Sequence, residues 1–184
     1  MKYLSYLLIA VLGVARSLLA ACYERLADLD KPQTYQQDGI SFVYPGNWKV
    51  TEDTTIEHAR FIFLESTAEA IIKVEIYPIE ESYELEEFVE LDIESLQAEY
   101  PKIFNISNSH SVSPIVTPLS NIDLDGYQYE FTISLLGVDV PHVSNYYQFN
   151  SETLSAYVSQ QVAVDDLGKV VGGFHLVLDS FKVE

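Results

Sequence analysis

Gly39-Ile40-Ser41-Phe42-Val43-Tyr44-Pro45-Gly46-Asn47-Trp48-Lys49-Val50 is the stretch whose reading decides the fold of this 184-residue chain. Ile40, Phe42 and Tyr44 alternate with Ser41 and Val43, which predicts a strand. Pro45-Gly46-Asn47 supplies a tight turn, and Trp48-Lys49-Val50 begins a second strand, so the opening is expected to be a hairpin. Working outward, further strands are predicted at 58–64 and 70–79. In the latter, Ala70, Ile72, Val74 and Ile76 share one apolar side, whereas Ile71, Lys73, Glu75 and Tyr77 share a mixed one. That is the pattern of a sheet with one face under helices. Leu85, Phe88, Val89, Ile93, Leu96 and Tyr100 then recur at helical spacing among Glu and Asp residues, predicting an amphipathic helix that starts near Ser82 and stops at Pro101. Its crowded carboxylates read as a solvated helix face.

Strands are predicted again at 103–106, 112–119, 122–124, 126–136, 140–149 and 154–164. The clearest has Tyr127, Tyr129, Phe131, Ile133 and Leu135 alternating with Gln128, Glu130, Thr132 and Ser134. Short connections between consecutive strands imply antiparallel pairing. Leu167, Val170, Val171, Phe174, Val177, Leu178 and Phe181 predict a closing helix capped by Asp165 or Asp166. Gly172 and Gly173 within it each cost about 1 kcal/mol relative to Ala, which points to close packing against the sheet.

Residues 39–50 resemble the "F-x-Y-P-x-x-W" opening of the superfamily that contains the photosystem II extrinsic subunit PsbP and the bacterial lipoprotein DcrB. The order of elements and the closing Asp179-Ser180-Phe181-Lys182 are similar too. The resemblance implies an α+β fold, an antiparallel β-sheet flanked by helices in an α/β/α sandwich. It implies no catalytic site, since members are mostly accessory or binding proteins.

Residues 1–21 read as a secretory signal: an apolar block follows Lys2 and is too short for a membrane span. Leu19-Ala20-Ala21-Cys22 resembles the lipobox of bacterial lipoproteins, which implies cleavage before Cys22 and acylation of that residue, the only cysteine in the chain. Tyr23 follows, where inner-membrane lipoproteins of enterobacteria typically carry Asp; the resemblance therefore implies the outer membrane in a Gram-negative cell. Residues 22–38 are polar, contain Pro32, and are expected to tether the lipid to a single domain at 39–184.

The chain carries a net charge of -18, and loss of Lys2 and Arg16 with the signal makes the mature protein more acidic still. Such a surface repels phosphate, so neither nucleic acid nor an anionic lipid surface is an expected partner, and membrane attachment falls to the lipid. Hydrophobic residues at 48% are nonetheless enough to bury a core.

Few motifs point to chemistry. Asn121-x-Asp123-x-Asp125-Gly126 matches the first half of an EF-hand loop, yet Thr132 stands at the twelfth position, where calcium needs a bidentate Glu. The stretch reads instead as an edge strand turning at Asp125-Gly126. His58, His110, His142 and His175 have no zinc-motif spacing, and no Gly-x-Ser-x-Gly elbow occurs. No metal, cofactor or catalytic residue is expected. Trp48, Tyr146 and Tyr147 are the candidates for lining a binding pocket, although strand aromatics ordinarily serve core packing. The expected function is that of a membrane-anchored, non-catalytic envelope lipoprotein that binds a protein partner or supports an assembly. The alternative is a small-ligand carrier with a cleft between sheet and helix.

Overall fold

A computed structural model describes residues 26–99, 105–107 and 112–184. Its strands are β1 (Gln33–Gln37), β2 (Ile40–Tyr44), β3 (Lys49–Ile56), β4 (Ala59–Glu65), β5 (Ile71–Pro78), β6 (Asn105–Ser107), β7 (Val112–Pro118), β8 (Asp123–Leu135), β9 (Val138–Asn150), β10 (Leu154–Ala163) and β11 (Lys182–Val183), with helices α1 (Leu85–Glu99) and α2 (Leu167–Ser180). The large sheet is antiparallel in the order β3-β4-β5-β10-β9-β8-β6, and β7 shares the outer edge of β8 with β6. A small sheet, β1-β2-β11, lies beside it. The expected α+β architecture is present, and each helix has its own core on the sheet.

The α2 core gathers Phe42, Trp48, Ile62, Leu64, Ile72, Val74, Tyr147, Val158 and Phe174. Gly173 makes this packing possible: a Cβ there would lie 2.5 Å from the Trp48 ring and 2.7 Å from Pro45. The α1 core gathers Phe88, Val89, Tyr129, Phe131, Tyr146 and Tyr157, with the Phe88 and Tyr157 rings stacked at 3.9 Å between centroids.

The opening segment is not a hairpin. β2 pairs with β1 and β11, whereas β3 pairs with β4, so the turn after Tyr44 hands the chain from one sheet to the other. Trp48 makes that switch favourable, because burying its indole in the α2 core requires the two strands to part. The expected tether is also corrected over its described part. Gln33–Gln37 forms β1, Ala27 N–H donates to the Lys169 carbonyl at 3.0 Å, and Asn47 holds both the Leu26 carbonyl and the Asp28 N–H. Polarity hid this strand, since an edge strand with exposed side chains needs only backbone pairing to form.

The expected break at Asp125-Gly126 is absent too. Residues 123–135 run as one strand, with Gly126 buried where a Cβ would strike the Tyr147 ring at 2.8 Å. The chain turns earlier instead, closing Leu119 N–H onto the Ile122 carbonyl. Asp166 occupies the N-cap position of α2, but its carboxylate pairs with Lys169 at 2.7 Å rather than capping the helix. Pro101, the expected stop of α1, lies outside the described residues.

Candidate functional site

Two polar clusters and one cleft stand out. The mixed side of β5 faces α1, and because strand residues alternate, Lys73, Glu75 and Tyr77 all point beneath that helix. Asp92, on the inner face of α1, meets them. The Lys73 ammonium bridges Glu75 Oε1 at 2.6 Å and Asp92 Oδ1, and the Tyr77 hydroxyl donates to Glu75 Oε2 at 2.9 Å. Tyr146 completes the cluster by hydrogen-bonding Asp92. Burial opposes the charge on Lys73, but the adjacent Asp92 and Glu75 outweigh it and hold its pKa well above the ordinary lysine value. Burial and then the Glu75 charge push the Tyr77 phenol upward; burial and then the Asp92 charge do the same to Tyr146. All three groups are thus locked in their neutral-pH states, which suits a structural cluster better than proton transfer.

The second cluster joins the two sheets. Arg60 on β4 grips Asp53 on β3 through two parallel contacts of 2.8 and 2.9 Å. Its other nitrogen reaches the Gln37 carbonyl of β1 at 3.2 Å, and the Tyr35 hydroxyl donates to Asp53 at 2.5 Å. The hydrogen bond from Arg60 lowers the Asp53 pKa, while burial and the bond to Asp53 raise that of Tyr35. Beside this staple lies an open cleft of about 250 Å³ whose walls include Asp38, Thr55, His58, Arg60, Tyr77 and Leu154. It lies between the two sheets, at the end of the domain formed by the β1–β2 and β3–β4 turns.

The three aromatic candidates face inward. Trp48 is 3% exposed, Tyr146 2% and Tyr147 1%, so none presents a surface to a ligand. Trp48 Nε1 is buried without a hydrogen-bond partner, and the Tyr147 hydroxyl is taken by Thr117 at 2.8 Å. Asp123 and Asp125 lie in an extended strand rather than in a loop able to wrap an ion. His142 stacks on Phe131 at 5.4 Å and is held below the ordinary imidazole range by burial. Cys22 and His110 lie outside the described residues. Sequence reading missed the Lys73 cluster because Asp92 and Tyr146 lie 19 and 73 residues beyond Lys73; the one signal was a lysine and a glutamate alternating inside an otherwise apolar strand.

No family model matches the chain, and neither does any curated protein. Among solved structures, cyanobacterial PsbP (CyanoP) from Synechocystis sp. PCC 6803 superposes with a TM-score of 0.54 at 13% identity, over 91% of this chain and 99% of that one. LpqN, involved in cell envelope biogenesis of Mycobacterium tuberculosis, gives a TM-score of 0.45 at 11% identity, over 83% of this chain and 89% of that one. The likeness to CyanoP shows a PsbP-like fold.

Proposed function

We propose that the chain is an envelope lipoprotein, anchored through acylated Cys22, that acts without catalysis by binding a protein partner or supporting an envelope assembly. The observation that supports this most directly is Leu19-Ala20-Ala21-Cys22, carrying the only cysteine, four residues ahead of the first described residue of a PsbP-like domain. The polar clusters fit the same reading: Lys73 and Arg60 are both engaged with carboxylates of their own chain. No helix among the described residues is long and apolar enough to cross a membrane. In a Gram-negative cell, Tyr23 after the lipidated residue favours the outer membrane. Nucleic acid remains an unsuitable partner for so acidic a chain. Photo-cross-linking from exposed positions in intact cells tests this: repeated capture of one envelope protein is expected. Absence of any protein adduct would overturn it.

A second reading, small-ligand carriage, rests on the cleft between the sheets. Its volume of about 250 Å³ falls below the roughly 300 to 1,000 Å³ of ordinary ligand pockets, which ranks it behind the first. A native mass spectrum of the purified protein that retains a small molecule, released by His58→Ala, would favour it.

A further inference from the structure

The strand registers fix which parts of the chain share one end of the sandwich. β10 ends with Ala163 opposite His142, but β9 begins at Val138, so the β8–β9 hairpin overhangs β10. At about 3.3 Å per residue, its tip at Leu136-Gly137 stands roughly 15 to 20 Å beyond that pairing. α2 starts at the same end, directly after β10. There the Lys169 carbonyl accepts from Ala27 N–H, and Asn47 holds the Leu26 carbonyl. The hairpin tip and the point where the chain enters the domain therefore lie on one side.

That side carries the two most exposed large apolar side chains among the described residues, Leu136 and Leu26. Leu136 is 95% exposed and sits at φ +52°, followed by Gly137 at φ +83°, a two-residue turn in which a leucine is strained and Asn or Gly would be at ease. Val138 is exposed beside it, and Val164, Leu26 and Leu29 are exposed elsewhere at the same end. Lys31, Lys49 and Lys169 lie at this end as well, among Asp28, Asp30, Glu65, Glu69, Asp139, Asp165 and Asp166, so charge does not draw it to a bilayer. The opposite end collects Glu57, Glu80, Glu81, Glu84, Glu152 and Glu184 and is comparably acidic, so the ends differ in the exposed leucines and in where the chain enters, not in charge.

Chain length then selects the occupant. Leu26 follows Cys22 by four residues, a span of at most about 14 Å even when fully extended. A lipid on Cys22 thus holds this end against the bilayer, with no slack for the domain to turn over. We propose that this is the membrane-facing end of the domain and that the Leu136-Gly137 tip inserts among the lipid head groups. This rests on Cys22 being acylated. It converts a tethered domain into an oriented one, with the opposite end and the inter-sheet cleft turned away from the membrane.

The test uses the full-length lipidated protein in phosphatidylethanolamine–phosphatidylglycerol vesicles, with an environment-sensitive fluorophore on Leu136→Cys, on Val138→Cys or, at the far end, on Glu152→Cys. Nitroxide-labelled lipids should extinguish most of the emission at 136 and 138 and leave that at 152 unchanged. A mass spectrum of the same sample reads the acyl chains on Cys22. Unquenched emission at 136 and 138 in a sample that carries lipid overturns the docking and leaves the anchor standing. Quenching at 152 equal to that at 136 overturns the orientation. A Cys22 without lipid overturns anchor and docking together.

Discussion

The two faces of the large sheet solve the same packing problem with different chemistry. Under α2, Ala70 and, on β5, Ile72, Val74 and Ile76 line a contact that is apolar from Phe42 to Phe174 but for Gln160, whose amide donates to the Phe174 carbonyl at 3.2 Å. Under α1, the same strand contributes Lys73, Glu75 and Tyr77 to a cluster closed by Asp92, surrounded by stacked aromatics. An apolar face is held by area and shape, so its losses scale with the volume removed. A buried ionic face is held by mutual compensation. Removing one partner strands the others, whereas removing all of them costs little.

Paired deletions probe this contrast with the largest expected effects. Trp48→Ala should cost about 3 to 5 kcal/mol by opening a cavity in the α2 core. Lys73→Met should cost a similar 3 to 5 kcal/mol by leaving Glu75 and Asp92 uncompensated, yet the triple change Lys73→Met, Glu75→Leu, Asp92→Leu should recover most of it. Denaturant unfolding measures both. A Lys73→Met protein of wild-type stability would show that the cluster is solvated and that the two faces do not differ in kind.

Adjacent glycines in α2 give the next test, with opposite signs expected. Gly173→Ala drives a methyl into Trp48 and Pro45 and should destabilise by about 1 to 3 kcal/mol. Gly172→Ala meets only the flexible end of Leu29 at 3.2 Å, so the gain in helix propensity, up to about 1 kcal/mol, should prevail. Equal melting temperatures for the two variants would deny the α2 face its close contact.

Alkaline pH should distinguish the faces further. The folded pKa of Lys73 is raised, so its contribution is complete below the ordinary lysine value of about 10.4 and is lost as pH rises through the higher folded value. Tyr77 and Tyr146 act in the same direction, because the unfolded phenols ionise first above about pH 10. Stability measured from pH 9 upward should therefore fall more steeply in the wild type than in the triple variant. Parallel curves would contradict it.

The smallest expected effect lies outside both faces. Leu136→Asn relieves the strained turn and should stabilise the isolated protein by at most about 1 kcal/mol, read as a small rise in melting temperature. A fall would mean that Leu136 packs within its own chain.

Local signals were legible wherever one residue type dominates its neighbours. The alternation of β8, the helical period of α1 and α2, and the two ends of the PsbP-like pattern could all be read from the sequence. Those ends prove to be one structure: Phe42 stacks on Phe181 at 5.8 Å, and Ser180 Oγ accepts from Val43 N–H at 2.8 Å. What was misread shares one cause. β1, the parting of β2 from β3, and the unbroken course of β8 through Gly126 are each decided by a partner distant in sequence: β2, the α2 core and the Tyr147 ring.

Sequence alone determined the composition of the faces, the acidic surface, and a single cysteine in a lipobox-like setting, because these depend on residue type and short spacing. Tertiary structure alone decided that Lys73, Glu75 and Asp92 meet, that Trp48, Tyr146 and Tyr147 are core rather than pocket, and that Leu26 and Leu136 share an end. Each of those outcomes depends on strand order and register, which are set by the summed burial of the whole chain rather than by any segment of it.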